Sequence, residues 1–251
     1  MRTLITAGTL VLALLGAACG DAAPTPKVDE PAAAESRAPL TIEDPYEPTI
    51  DPANFGGPID NPYMPLEPGT TLVYEGLSDG EKELNTVEVT DKTKNILGID
   101  CVVVLDKVFA DGVLAEKTLD WYAQDVDGNV WYMGEYSKSY ENGKFVDAHG
   151  SWEAGVDGAL PGIAMPADPM VGDSYRQEYL KGEAEDTGEV LQTDATASVP
   201  YGSYENVLVT EDLNPNEPKV VEHKYYAPGV GFVREEMLKG GNDTVKLVDI
   251  R

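Results

Sequence analysis

From about residue 70 onward, apolar and polar residues alternate in short runs, and dipeptides that reverse a chain separate the runs. Asp79-Gly80, Asp111-Gly112, Asp127-Gly128 and Asn142-Gly143 each stand between two such runs. Asp-Gly and Asn-Gly tolerate the positive φ angles of tight hairpin loops, so this spacing predicts a β-meander. A first strand is expected at 72–75. In the next apolar run Cys101, Val103, Leu105 and Phe109 share one face, with Asp106 and Lys107 breaking the pattern. LDWYAQ and NVWYMGEY flank the DVDG turn as two aromatic strands. Further strands are expected at 174–180, 189–193, 206–211, 220–226, 231–237 and 244–250. Beyond the first 20 residues no long segment carries a 3.6-residue period. The pattern therefore predicts an all-β fold: a strongly bent antiparallel sheet or open barrel, a meander of about 11 or 12 strands. The Gly- and Pro-rich stretch 153–173 is expected to be a long ordered loop, and the acidic stretch YLKGEAEDTGEV an excursion between two strands.

The beginning of the chain reads differently. Residues 1–20, MRTLITAGTLVLALLGAACG, carry one arginine, an uncharged apolar run, small residues and a cysteine. This is the layout of a secretory signal, and its apolar run falls short of the roughly 20 residues of a helical membrane span. Leu15, Gly16, Ala17, Ala18 and Cys19 resemble the lipobox of a bacterial lipoprotein precursor. That resemblance implies cleavage before Cys19, acylation of Cys19, and an extracytoplasmic protein held to the cell envelope by lipid. Several acyl chains would make such an anchor stable where one is marginal. The alternative is an ordinary secretory signal with a chance cysteine. Between Pro24 and Pro68 lie 11 of the 18 prolines, which denies this part of the chain regular hydrogen bonding. The expected organisation is a signal peptide at 1–18, a lipidated cysteine and disordered Pro/Ala/acidic linker at 19–59, and one β-rich domain at 60–251.

Composition narrows the partners. The 251 residues carry 18 Lys and Arg against 45 Asp and Glu, a net charge of −27. Such a surface repels nucleic acid, and no basic run localises an opposite field. There are two cysteines. With Cys19 acylated, Cys101 has no partner and is expected to be a buried free thiol.

A second resemblance rests on NPYMPLEPGTTLVYEG, LDWYAQDVDGNVWYMGE, GSWEAGVDGALPGI and VEHKYYAPGVGFV. These pieces resemble those of uncharacterised bacterial extracytoplasmic proteins, and YYAPGVGFV resembles the closing hairpin of open-barrel envelope proteins that cradle lipids or other apolar ligands. No site residue follows from either likeness.

Catalytic signatures are sparse. The two histidines, His149 and His223, sit in neither a G-x-S-x-G nor an H-E-x-x-H context, and no phosphate-cradling glycine loop is present. Glu178, Glu183, Glu185, Asp186 and Glu189 put five carboxylates within one stretch, enough oxygens for a divalent cation. The candidate metal set is His223, Glu183, Glu185 and Asp186, with a solvated acidic loop as the alternative; no cofactor is otherwise expected. The DVDGN turn opens like a calcium loop, but a hairpin turn explains it. Trp121, Trp131, Tyr132 and Tyr136 form the candidate ligand-binding face, suited to a sugar or flat ligand, with cross-strand packing as the alternative. The leading reading is a lipid-anchored, non-catalytic binding protein for a small-molecule, lipid or glycan ligand on the concave face of the sheet. A metal-assisted hydrolase using carboxylates and His, and a structural envelope lipoprotein, are the alternatives.

Overall fold

The computed structural model describes residues 37–78 and 80–251. The signal segment, Cys19 and the first part of the linker lie outside the described residues, as does Asp79 of the first expected turn. The compact unit runs from Ala38 to Arg251.

The chain forms β1 (Thr71–Ser78), β2 (Glu81–Ile96), β3 (Ile99–Ala110), β4 (Val113–Gln124), β5 (Val130–Glu141), β6 (Lys144–Asp147), β7 (Trp152–Glu153) and β8 (Leu160–Met165). It continues with β9 (Ser174–Arg176), β10 (Glu178–Tyr179), β11 (Thr187–Val199), β12 (Gly202–Leu213), β13 (Val221–Ala227), β14 (Gly231–Lys239) and β15 (Thr244–Ile250). Among the described residues the only helical piece is a 3-10 turn at Pro52–Asn54.

All strands belong to one antiparallel sheet ordered β10-β8-β5-β4-β3-β2-β1-β15-β14-β13-β12-β11-β9, with β6 and β7 pairing β5. The two ends of this order are neighbours in the chain, with only Gln177 between them. The segment thus pairs with β11 through Ser174–Arg176 and with β8 through Glu178–Tyr179. At Gln177 it changes partners, which brings the sheet to a barrel with one seam.

The hairpin turns show why the meander is legible. Asp111 and Gly112 take φ of 46° and 82°, and Asn142 and Gly143 take 51° and 72°, the left-handed pairs that a two-residue loop requires. Leu97-Gly98 does the same between β2 and β3. Leucine has no special tolerance for that region, so composition does not mark this turn. Two expectations need correction. The 153–173 stretch is not wholly loop, because Leu160–Met165 forms β8 against β5 and β10. The described residues form 15 strands. The extra strands are pieces of two to six residues, too short to display a period.

Packing divides by alternation. Val104, Val130, Met165, Val190, Leu208 and Tyr226 cluster with Ile59 and Leu66, and Leu72, Tyr74, Val207, Val233 and Leu247 continue the apolar packing. Cys101 and Val103, whose side chains leave β3 on the other face, pack instead with Trp121, Met133, Trp152 and Ala159. Cys101 is a fully buried free thiol, and burial pushes it up to about 12.

The segment 59–66 crosses one end of the barrel. Its buried Asn61 donates from Nδ2 to the carbonyls of Gly128 and Pro166, and the Gly229 amide donates to the Pro62 carbonyl. The segment 38–55, which composition assigns to the linker, also lies on the barrel. Leu40 exchanges hydrogen bonds with the Asp173 carboxylate and the Ser174 amide, Tyr46 donates to the Pro161 carbonyl, and Phe55 bridges to Asp125. Proline-fixed extended chain needs no periodicity to make such contacts.

Candidate functional site

The sheet closes round a cavity of about 390 Å³. Its lining obeys the two-residue period of a strand: Leu72 and Tyr74 from β1, Asn85 and Val87 from β2, Val104 and Asp106 from β3, Asp120 and Tyr122 from β4, Lys224 and Tyr226 from β13. The order along each strand is systematic. Moving two residues away from the end crossed by 59–66 turns Leu72 into Tyr74, Val87 into Asn85, Val104 into Asp106, Tyr122 into Asp120 and Tyr226 into Lys224. Antiparallel neighbours reverse the chain direction, and the sequence order reverses with it. The cavity therefore has an apolar end, with Met64, Leu66 and Phe232, and a polar end, with Glu235 among its groups.

Asp106, Asp120, Glu178, Asp186 and Glu235 line the cavity, and among the described residues Lys224 is the one lining basic side chain. Tyr132 donates to Asp120 Oδ1 at 2.6 Å and stacks on Tyr122 with centroids 4.7 Å apart. Trp152 Nε1 donates to Glu178 Oε2 at 2.8 Å. Lys224 Nζ lies 2.8 Å from Asp212 Oδ2 and 3.9 Å from Glu235 Oε2. Burial works against its charge, but these carboxylates outweigh burial and hold the ammonium well above the ordinary lysine range. The buried Oδ1 atoms of Asn85, Asp106 and Asp186 accept no hydrogen bond.

Taking these carboxyls out of water favours their neutral forms, and neighbouring acids add to the effect. Burial, then repulsion from Asp120, pushes Asp106 up to about 8. Burial pushes Asp120 to about 7 against the Tyr132 hydrogen bond, and Glu178 and Glu235 to about 7. Asp186 is raised to about 6, again chiefly by burial.

The expected ligand-binding aromatics separate. Tyr132 lines the cavity, whereas Trp121 and Tyr136 line a second groove of about 360 Å³ together with Lys94 and Trp152. Their own lysines cover them: Lys94 Nζ sits 3.3 Å from the Trp121 ring centroid and Lys138 Nζ 4.9 Å from that of Tyr136. Trp131 Nε1 donates to Asp125 Oδ2. The same carboxylate accepts from Asp127 and Asn129, so the DVDGN segment is a self-satisfied turn.

The expected metal residues also separate. His223 Nε2 lies 3.3 Å from Glu211 Oε2, and exposed His149 lies 3.6 Å from Glu183. Asp186 lines the cavity, and Glu185 is half-buried. Among the described residues no group of three or more His, Cys, Asp or Glu is placed to hold a metal ion. The cavity acids Asp106, Asp120 and Glu235 are absent from the sequence-based set. Their only signal is a carboxylate at an apolar position of the alternation, as at Asp106.

No protein-family model and no curated protein matches the chain. It is similar to two solved structures. One is an inferred exported protein with a YmcC-like fold from Bacteroides fragilis NCTC 9343, at 16% identity over 75% of this chain and 98% of that one, with a TM-score of 0.44. The other is a candidate lipoprotein from Parabacteroides distasonis ATCC 8503, at 12% identity over the same shares, 75% and 98%, with a TM-score of 0.41.

Proposed function

We propose that this chain is a lipid-anchored extracytoplasmic binding protein that carries out no chemistry and holds a small amphipathic ligand inside its barrel. The cavity carries the reading. A ring of strands contributes alternate side chains to one space with an apolar end and a polar end, the form of a site for a molecule with the same division. Neither histidine of the hydrolase alternative is among the residues that line it. The leader, with Cys19 at its end, supports export and anchoring.

The test is native mass spectrometry of protein purified from its host membranes. A bound small molecule is expected, and it should be lost in Ala164→Leu, which adds bulk to the lining and changes no polar residue. Ligand-free wild-type protein, or a ligand retained unchanged in Ala164→Leu, counts against the cavity.

A further inference from the structure

We propose that the cavity selects an organic cation, a protonated amine on an apolar body. This inference rests on the reading of the cavity as the ligand site and adds the chemistry of the ligand's head.

The polar end is a surplus of acceptors. Five carboxyl groups line the cavity against one lysine, and Lys224 is already engaged by Asp212 and Glu235. Asn85, Asp106 and Asp120 lie on three adjoining strands. Val87 is paired with Asp106 and Val104 with Asp120, so each polar residue is the diagonal neighbour of the next. Side chains in that relation face one small volume. Within it Asn85 Nδ2 donates to Asp106 Oδ2 at 3.4 Å, and Tyr132 donates to Asp120 Oδ1. Asn85 Oδ1 and Asp106 Oδ1 remain buried without a donor. An unmet buried acceptor is costly, and a bound group that supplies N–H donors and positive charge recovers that cost.

The choice among head groups follows. A carboxylate or phosphate would add negative charge to a site that already crowds acids together. An alcohol brings one donor and no charge. An ammonium brings up to three donors, and its charge favours the ionised form of carboxyls that burial otherwise holds partly protonated, while its hydrocarbon runs back over Val87, Val104, Tyr122 and Phe232.

Isothermal titration of the full mature chain with octylammonium, octanol and octanoate, at neutral pH in 0.15 M NaCl, separates the possibilities. Octylammonium should bind tighter than octanol by about tenfold or more, the factor that one charge-assisted hydrogen bond supplies, and octanoate should bind weakest. Asp106→Asn and Asp120→Asn should each weaken octylammonium more than octanol and so narrow the gap between them. Ala164→Leu should weaken octylammonium and octanol together, because a cation held only by the acidic surface would ignore it. Equal binding of octanol and octylammonium overturns the cation and leaves the cavity reading standing. An amine preference that survives both Asn substitutions overturns it as well. No binding of any probe overturns both readings. Circular dichroism and melting of each variant establish that it is folded, and each Asn substitution tests the head-group site by itself.

Discussion

Tyr132 donates its phenolic proton across β4 and β5 to Asp120 Oδ1 at 2.6 Å. The bond favours the ionised carboxyl in a place where burial pushes Asp120 up to about 7. Tyr132→Phe keeps the ring that stacks on Tyr122 and removes only the donor. We expect Asp120 to titrate higher in the variant and stability to fall by about 1–3 kcal/mol at pH 8, where the acceptor carries charge. At pH 5 the carboxyl is protonated and the loss should be smaller. Urea unfolding at the two pH values reads the difference, and equal losses would mean that charge plays no part in the bond.

Stability as a whole should run opposite to the common acid-labile pattern. Asp120, Glu178 and Glu235 are raised to about 7, Asp106 to about 8 and Glu135 to about 9, in each case chiefly by burial. A carboxyl raised above its unfolded value binds more protons in the native state, so its contribution is complete below the ordinary carboxylate range near 4. It is lost as pH climbs through the folded value. The melting temperature should be higher at pH 5 than at pH 8. Relief of the net charge acts in the same direction, but salt screens that part. The slope that remains in 0.5 M NaCl should flatten in Asp106→Asn. A melting temperature that rises from pH 5 to pH 8 would contradict this account.

The sequence made part of this legible because some devices are local. Asp111-Gly112 and Asn142-Gly143 encode their own backbone geometry, and both turns stand where composition places them. Alternation around Cys101 likewise marks one of the two buried faces of β3. What was hidden depends on distant chain. Gln177 looks ordinary, yet it is where the barrel changes edge, because pairing with β11 on one side and β8 on the other is decided by residues remote in sequence. Asp106, Asp120 and Glu235 were hidden for the same reason. Asp106 and Asp120 look like breaks in two separate patterns, and only the register of β3 on β4 makes them neighbours. The aromatic cluster divides because adjacent residues of a strand face opposite ways. Trp121 and Tyr122 follow one another in sequence but serve different cores.

The seam is closed by backbone meeting backbone at Gly162. A Cβ built there falls onto the carbonyl carbon of Gln177, so even alanine would hold β8 away from the segment that completes the barrel. Gly162→Ala should cost about 1–3 kcal/mol, the range for overpacking a well-packed site. Hydrogen exchange should show the loss concentrated at Glu178, Tyr179 and β8, with β2 and β3 little changed. Uniformly faster exchange across the sheet would mean that the seam is no weaker than the rest.

Membrane attachment should depend on a single sulfur. If Cys19 carries acyl chains, Cys19→Ser removes the only site for them and should move the protein from the membrane fraction to the soluble fraction. The barrel should melt at an unchanged temperature, because the compact unit begins at Ala38. Wild-type protein recovered soluble, with an unmodified Cys19 by mass spectrometry, would return the leader to an ordinary secretory signal.

The proline-rich approach to the barrel provides a last test, since composition and packing place the start of the folded unit differently. Asp173 is fully buried, and its carboxylate accepts from the Leu40 amide at 2.7 Å and the Met170 amide at 2.9 Å. The Ser174 amide donates back to the Leu40 carbonyl. Farther along, the Tyr46 ring packs edge-on against Tyr179, with the Arg176 guanidinium over both rings. A protease needs an extended, unpaired stretch to cut, and these bonds withhold it around Glu43. A glutamate-specific protease should therefore cleave the mature chain at Glu35 and spare Glu43. Asp173→Ala leaves two amides without their acceptor, so it should lower stability by about 1–3 kcal/mol and open Glu43 to cleavage. If the wild-type chain is cut at Glu43 as readily as at Glu35, the 38–55 segment is a tether that merely rests on the barrel.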